Sequence, residues 1–333
     1  MKLHPDATEM KKVLDKYGIK NLYHFTAIDN LSIINKCKGI WSKQRLENDG
    51  LLDKIITGGN KLSLSLDKSI GNWDKVSLHF CPRSPMAYRA QQNFWQRAPR
   101  SAHICYLIID PNVALWEGVV FTDTNATKTT NGQKRGQGMG GLSLVDFDTI
   151  KAHLNKQWVE PKQRWHRNVQ AECLIPNEIP ITYIKGIVFI SEASLREGTR
   201  LWGNVDHPLF SIEKNLFSTD LALVNSFTLT SQNVTKDNVD SIRFQDEECF
   251  SKELCSKVTL LVHLYATACS QAQIIWFDNH DKQIFEDKTD FEKVSFYWHW
   301  PSLEIFKLLE GNYSVEYYLN DTRWFKAHFR VME

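Results

Sequence analysis

Apolar positions in the first quarter of the chain recur at helical intervals broken by short alternating runs. Ala7, Met10, Val13 and Leu14 share one face of a helix starting at Asp6 or Ala7 and ending at Tyr17, with Gly18 as its stop. Residues 22–26 read as a short strand, and Asp29 or Asn30 then caps a helix carrying Leu31, Ile33 and Ile34. Residues 39–42 and the Gly58-Gly59 turn bracket a helix over 43–52. Strands are expected at 62–66 and 76–80, and a helix over 84–96 with Met86, Ala90 and Phe94 along one face. Residues 102–109 and 115–121 read as strands, and 122–141 as a long polar loop, of a length that is usually functional or disordered. A helix over 144–154 precedes strands at 169–175 and 179–190, with Pro176 and Pro180 at the turn between them. Residues 191–197 begin a last short helix.

The pattern changes around residues 208–219. From Leu221 onward the apolar positions fall in short aromatic and β-branched runs, at 226–229, 257–264, 272–277, 291–298, 313–319 and 324–331. Asp278-Asn279-His280-Asp281, Gly311-Asn312 and Asn320-Asp321 supply turns between them. The expected class is α+β: a mixed α and β domain over 1–215, then an antiparallel β-sandwich over 216–333. The 333 residues are enough for two such domains, each with its own core.

Charge sharpens this division. The net charge of +1 is the sum of two unlike parts, since residues 217–333 carry 11 basic and 18 acidic side chains, leaving 29 and 21 to residues 1–216. Between 75 and 170 there are 13 basic residues and 6 acidic ones, which suits an anionic partner. No apolar run reaches the ~18 residues of a membrane span, and the N-terminus lacks a signal-peptide core, so no membrane partner is expected. Seven cysteines without a Cys-x-x-Cys pair fit a reduced, cytoplasmic setting.

The sharpest candidate chemistry lies at 170–176. Strand periodicity there puts Gln170, Glu172 and Leu174 on one face, with a carboxylate beside an amide. A second strand places His24 and Thr26 the same way, two neutral polar groups suited to a flat amide or a ribose. Arg83, Arg89, Arg97 and Arg100 interleave with Tyr88, Phe94 and Trp95, a mixture that suits single-stranded nucleic acid through phosphate neutralisation and base stacking. Gly136-x-Gly138-x-x-Gly141 matches a dinucleotide fingerprint in letters only, because no apolar strand precedes it. It reads instead as a basic loop with Lys134 and Arg135 available to phosphate. No His-x-x-x-His or comparable cluster indicates a metal, and no Gly-x-Ser-x-Gly elbow indicates a serine hydrolase.

Four stretches, taken in order, resemble the DarT family of NAD-dependent nucleic-acid ADP-ribosyltransferases. They are residues 23–31 (beginning Tyr23-His24-Phe25-Thr26), 76–86 (Val76 to Met86), 120–126 (Val120 to Ala126) and 170–176 (Gln170-Ala171-Glu172). The resemblance spans roughly 20–190 and leaves the C-terminal part uncovered. It implies an ADP-ribosyltransferase fold with no Rossmann domain and NAD+ as co-substrate. It implies that Glu172 is the catalytic glutamate and that Gln170 orients the acceptor. His24, Thr26, Asn30, Ser65 and His79 would contact NAD+, and the 127–141 loop would present the acceptor. Arg83, Arg89, Lys134, Arg135 and Arg167 would meet the nucleic acid. The chain departs from the family in having no arginine from Leu46 through Pro82, where Lys61, Lys68, Lys75 or the Ser63/Ser65 pair could substitute. His79 stands where a tyrosine is common.

The resemblance further implies a toxin paired with an antitoxin, often a macrodomain hydrolase, with a role in anti-phage defence. The acceptor is a nucleobase outside a duplex stack, on single-stranded DNA by preference over RNA. The rival readings are a protein-directed transferase using the same Glu172 site, and a nucleic-acid-binding module that consumes no NAD+.

Overall fold

The first helix stops where the sequence places its glycine. The helix α1 (Ala7–Tyr17) buries Met10 and Leu14 and ends at Gly18, whose left-handed φ of 67° lets its N–H return to the carbonyls of Leu14 and Asp15. The structure, a computed structural model, describes residues 1–57, 61–91, 101–127, 133–154, 164–203, 209–217, 222–243, 245–266, 270–292 and 294–333. Two compact units divide the chain. One comprises Met1–Ala98, Ile104–Ile190 and Gly198–Ser218, and the other comprises Pro99–His103, Ser191–Glu197 and Thr219–Glu333.

The strands up to residue 212 are β1 (Leu22–Ala27), β2 (Gly39–Trp41), β3 (Lys75–His79), β4 (Ser101–Ala102), β5 (Ile104–Ile109) and β6 (Val120–Thr122), then β7 (Arg135–Gly136), β8 (Glu172–Pro176), β9 (Glu178–Pro180), β10 (Ile184–Phe189) and β11 (Leu209–Ile212). The helices after α1 are α2 (Leu31–Lys36), α3 (Lys43–Asn48), α4 (Lys61–Ser69), α5 (Pro85–Gln91), α6 (Gly138–Leu142), α7 (Phe147–Leu154) and α8 (Glu192–Trp202). The first unit is built on one sheet in the order β11-β10-β5-β1-β3-β8-β6-β7. All its neighbours are antiparallel except β10 and β11. Strand β5 sits near its middle and is buried at every position but Ile108, so it reads as a nearly continuous apolar run. Register lines up four side chains across the sheet: Tyr23 faces His79, His79 faces Glu172, and Glu172 faces Thr122.

The second unit contains β12 (Leu223–Thr230), α9 (Val239–Ile242), β13 (Cys249–Ser251), β14 (Lys257–Ala266), β15 (Ser270–Phe277), β16 (Gln283–Phe291), β17 (Val294–His299), β18 (Ser302–Glu304), β19 (Gly311–Leu319) and β20 (Thr322–Met332). They form two mainly antiparallel sheets, one ordered β12-β14-β17 with β18 on β14, the other β13-β20-β19-β15-β16 with β4 on β20. Their inner faces meet where Phe227 stacks on Phe325 at 3.7 Å and Phe325 on Tyr317 at 5.6 Å. Arg323 is buried between Glu197 (3.5 Å) and Glu316 (3.7 Å), so the charge is paired on both sides.

Several elements differ from expectation. Residues 62–66 belong to a helix, α4, although Leu62, Leu64 and Leu66 alternate with serine; Asp67 on this helix is buried. The strand expected at 115–121 is broken up: a 3-10 turn, Pro111–Leu115, is followed by a single bridge from Trp116 to Leu3 and a turn at Gly118 with φ 80°, before β6 begins. The loop expected over 122–141 returns as β7 against β6 and continues into α6. Gln170 ends a 3-10 helix, Arg164–Gln170, so the strand begins two residues later at Glu172. The helix expected over 84–96 is α5 as far as Gln91; Phe94, Trp95, Arg97 and Arg100 lie outside the described residues.

Candidate active site

Strands β1, β3 and β8 carry the polar end of a cavity of about 470 Å³. Glu172 opens β8 and is 4% exposed. One carboxylate oxygen, Oε1, accepts the Ala126 N–H at 2.9 Å, and Oε2 accepts the Ser77 hydroxyl. Its own N–H donates to Thr122 Oγ1 at 3.2 Å, which fixes where the side chain leaves the strand. Burial raises the Glu172 carboxyl to about 7, against the downward pull of the Ser77 and Ala126 hydrogen bonds. Asp67 adds to the rise and Lys43 opposes it.

His24 and His79 face the same cavity as neutral rings. The Nδ1 of His24 lies 3.0 Å from the Ser77 carbonyl, and burial pushes its pKa below the ordinary histidine value. His79 is 4% exposed, stacks on Phe25 at 5.2 Å, and burial lowers it to about 3. Its Nδ1 has no hydrogen-bond partner among the described residues. Thr26 lines the cavity and accepts the Asn30 amide at 2.9 Å. Asn30 also donates to the Ile56 carbonyl and accepts the Ile56 N–H, both at 2.8 Å, so this buried amide ties β1 to the segment after α3.

The other candidates are dispersed. Gln170 is half-buried and is not among the residues that line the cavity. Ser65 is exposed on α4 and likewise off the wall. Arg89 on α5 lines the cavity. Arg83 donates to the carbonyls of His153 and Leu154 and so caps the end of α7. Arg135 donates to Asn72 Oδ1 at 3.1 Å, and Asn72 is a cavity residue. Arg167 pairs with Asp123 at 3.7 Å, and the backbone N–H of Lys134 donates to Asp123 at 2.9 Å. Both residues therefore hold the start of the 122–141 segment. Of the basic residues expected to replace the arginine, Lys75 lines the cavity and pairs with Asp74 at 2.6 Å, while Lys68 pairs with Glu47.

A charge pair that the sequence reading did not single out completes the wall. Lys43, the first residue of α3, meets Asp67 of α4 at 2.5 Å, and both line the cavity. No local pattern marks Lys43, but a helix over 61–69 would have brought Asp67 into question. Beyond the charged end, Ile33, Ile34, Ile40, Trp41 and Ile55 make an apolar lobe. A cavity of this size, apolar at one end with convergent polar groups at the other, has the character of a small-molecule site. Among the described residues no cluster of His, Cys, Asp and Glu is placed to hold a metal, and no described helix is long and apolar enough to cross a membrane.

Comparison with known proteins bears on what this cavity serves. A curated protein of Thermosipho africanus (strain H17ap60334), described as a DNA ADP-ribosyl transferase-DNA ADP-ribosyl glycohydrolase fusion protein, is 25% identical over 173 residues. That match takes in 50% of this chain and 42% of the other, so it spans less than half of the relative's length. Thermus sp. 2.9 DarT in complex with NAD+ aligns at 19% identity with a TM-score of 0.44, covering 60% of this chain and 98% of that one. The same Thermus protein with ADP-ribosylated ssDNA aligns at 19% identity with a TM-score of 0.46, over 60% and 97% of the two chains. The family profile described as ssDNA thymidine ADP-ribosyltransferase, DarT, matches residues 23–217. That stretch is more than half of the 333 residues, and the chain belongs to the DarT family.

Proposed function

We propose that this chain moves ADP-ribose from NAD+ onto thymidine in single-stranded DNA. The observation that carries the reading is Glu172, a buried carboxylate held by two donors at the polar end of a ligand-sized cavity, in a chain of the DarT family. The bond from the ribose anomeric carbon to the nicotinamide nitrogen breaks, and nicotinamide leaves neutral with the electron pair. The sugar passes through an oxocarbenium-like state, whose positive charge a fixed carboxylate stabilises in a dry site. The thymine ring N3, the one N–H of that base, supplies the pair for the new bond. Its proton passes to Glu172, whose carboxyl near 7 suits a general base at neutral pH.

His24, Thr26 and His79 bind the nicotinamide ribose end, with Asn30 fixing Thr26. The apolar lobe around Trp41 takes the far end of the dinucleotide. Arg89 lies on the cavity wall for the acceptor strand, Lys134 and Arg135 belong to the segment that presents it, and Arg167 holds the start of that segment through Asp123. We place this chemistry in residues 1–215, with 216–333 as an accessory domain. The reaction belongs in the cytoplasm, where NAD+ and single-stranded DNA meet. Such an enzyme is toxic to its own cell, so we propose a partner that removes the mark, a glycohydrolase of the macrodomain kind, and a role in defence against phage.

The test is incubation with NAD+ and a panel of thymidine-containing DNA oligonucleotides, RNA oligonucleotides and proteins, read by mass spectrometry. The expected result is one ADP-ribose on thymidine of DNA, lost in Glu172→Ala by at least ~100-fold. Transfer to RNA or protein alone, or undiminished transfer by the variant, overturns the reading.

A further inference from the structure

Between β1 and β8 lies β3, and one of its residues touches both of the site's polar partners. We propose that Ser77 is a positioning residue for the transfer reaction, fixing the carboxylate of Glu172 with its hydroxyl and the tautomer of His24 with its carbonyl. The inference rests on the transferase reading above. The Ser77 hydroxyl donates to Glu172 Oε2, and its main-chain oxygen lies 3.0 Å from His24 Nδ1. A carbonyl oxygen can only accept, so Nδ1 carries the ring proton. The ring is neutral, because burial lowers its pKa, and Nε2 is therefore a bare acceptor for a substrate hydroxyl or amide.

On the other side, the two carboxylate oxygens each hold one protein donor, Ala126 N–H on Oε1 and Ser77 Oγ on Oε2. Each keeps lone pairs for the substrate, in an orientation that both bonds set. Both donors also favour the charged form, which is the form that stabilises the oxocarbenium-like sugar. Within β3 the neighbours Val76 and Leu78 are buried apolar side chains, whereas Ser77 is half-buried at the cavity. A serine at a strand position of this kind adds little to the sheet by propensity. Its hydroxyl acts on Glu172 instead.

The groups that face Glu172 are Ser77 and His79 on β3, His24 on β1, Lys43 on α3, Asp67 on α4, and Ala126 and Thr122 on the 120–127 segment. Burial lowers both histidines below the ordinary imidazole value and raises Glu172 to about 7, so the acid limb of activity belongs to Glu172. The experiment compares Ser77→Ala and Ser77→Thr with the full-length wild type from pH 5 to 9, following NAD+ consumption with a thymidine oligonucleotide. Loss of one hydrogen bond to a carboxylate should lower kcat by about 10- to 100-fold and move the acid limb up by about one pH unit, with KM for NAD+ little changed. Ser77→Thr restores the hydroxyl and should bring the limb back. A loss of activity with the limb unmoved, or an alanine variant like the wild type, overturns the proposal.

A second arm uses no NAD+. The fall in Tm from pH 5 to 8 should be larger in Ser77→Ala than in the wild type, and this excess should vanish when Glu172→Gln is added. An equal fall in both proteins overturns the hold of Ser77 on Glu172. A wild-type chain that leaves NAD+ intact instead sinks the transferase reading, and the stability arm still separates the two.

Discussion

At the level of single residues, Glu172 is costly to the fold in the state in which it is useful. Its carboxyl rises from 4.5 to about 7 because burial opposes the charge. Below pH 4.5 it is protonated whether folded or unfolded and costs nothing. As pH climbs from 4.5 through 7 the unfolded chain ionises first, so stability is lost, up to about 3 kcal/mol once pH passes 7. Glu172→Gln should therefore raise Tm at pH 8 and leave it nearly unchanged at pH 4.5, while activity disappears. Parallel Tm curves for the two proteins from pH 4.5 to 8 would show that Glu172 ionises in the fold as it does in water. In the proposed reaction this loss of stability leaves a base poised at neutral pH.

At the level of elements, the cavity wall draws on two short helices, α3 and α4. Lys43 starts α3 and Asp67 lies on α4, and their 2.5 Å pair puts a cation and an anion on the same cavity wall as Glu172. Removing each should move the acid limb in opposite directions: Lys43→Met toward higher pH and Asp67→Asn toward lower pH, in rate profiles of NAD+ consumption. Lys43→Met also leaves Asp67 buried without its partner, at a cost of roughly 3 kcal/mol, and should melt well below Asp67→Asn. Shifts in the same direction would rule out a direct charge effect. Neither residue was legible in the chain, since each is a charged side chain on a short helix and only the fold joins positions 24 residues apart. The leucine–serine alternation over 62–66 pointed the wrong way, because a short period-two run is compatible with a helix when tertiary contacts favour one. The placement of Gln170 on the strand missed for a related reason: the polar–apolar alternation continues across the join between a 3-10 helix and β8. Strands with one wet face were readable, as in β15 and β20, where buried and more exposed positions alternate. Strand β16 was not, because it lies at a sheet edge with nearly every residue wet, and its apolar residues show no period. Glu172, His24 and Thr26 were visible through their resemblance to a family, and the cavity brings all three together.

At the level of the whole molecule, the second unit is not a simple appendage to the first in sequence. It takes in Pro99–His103 and Ser191–Glu197 from within the residues that carry the family match. Glu197 is 2% exposed, and its charge is met by Arg323 at 3.5 Å. Ending the chain at residue 215 removes Arg323 and every strand that β4 could pair with. The truncated protein should be more sensitive to proteolysis than the full chain and should melt several degrees lower, because the buried Glu197 loses its ion pair with Arg323. A fragment with the full-length melting temperature and protease resistance would mean that these segments need nothing from the C-terminal strands.

The same threading sets an order of events during synthesis. Thr322 pairs with Ser101 but follows it by 221 residues. At about 5–20 residues per second, Ser101 and Ala102 wait roughly 10 to 45 s on the ribosome for their partner strand. Every residue that lines the cavity, from His24 to Leu174, has been made by then. A nascent chain thus holds the full set of cavity side chains well before the last strand closes the second unit's core. An interrupted message would release that set with an unfinished sheet, a form suited to capture by chaperones and proteases rather than to the proposed transfer.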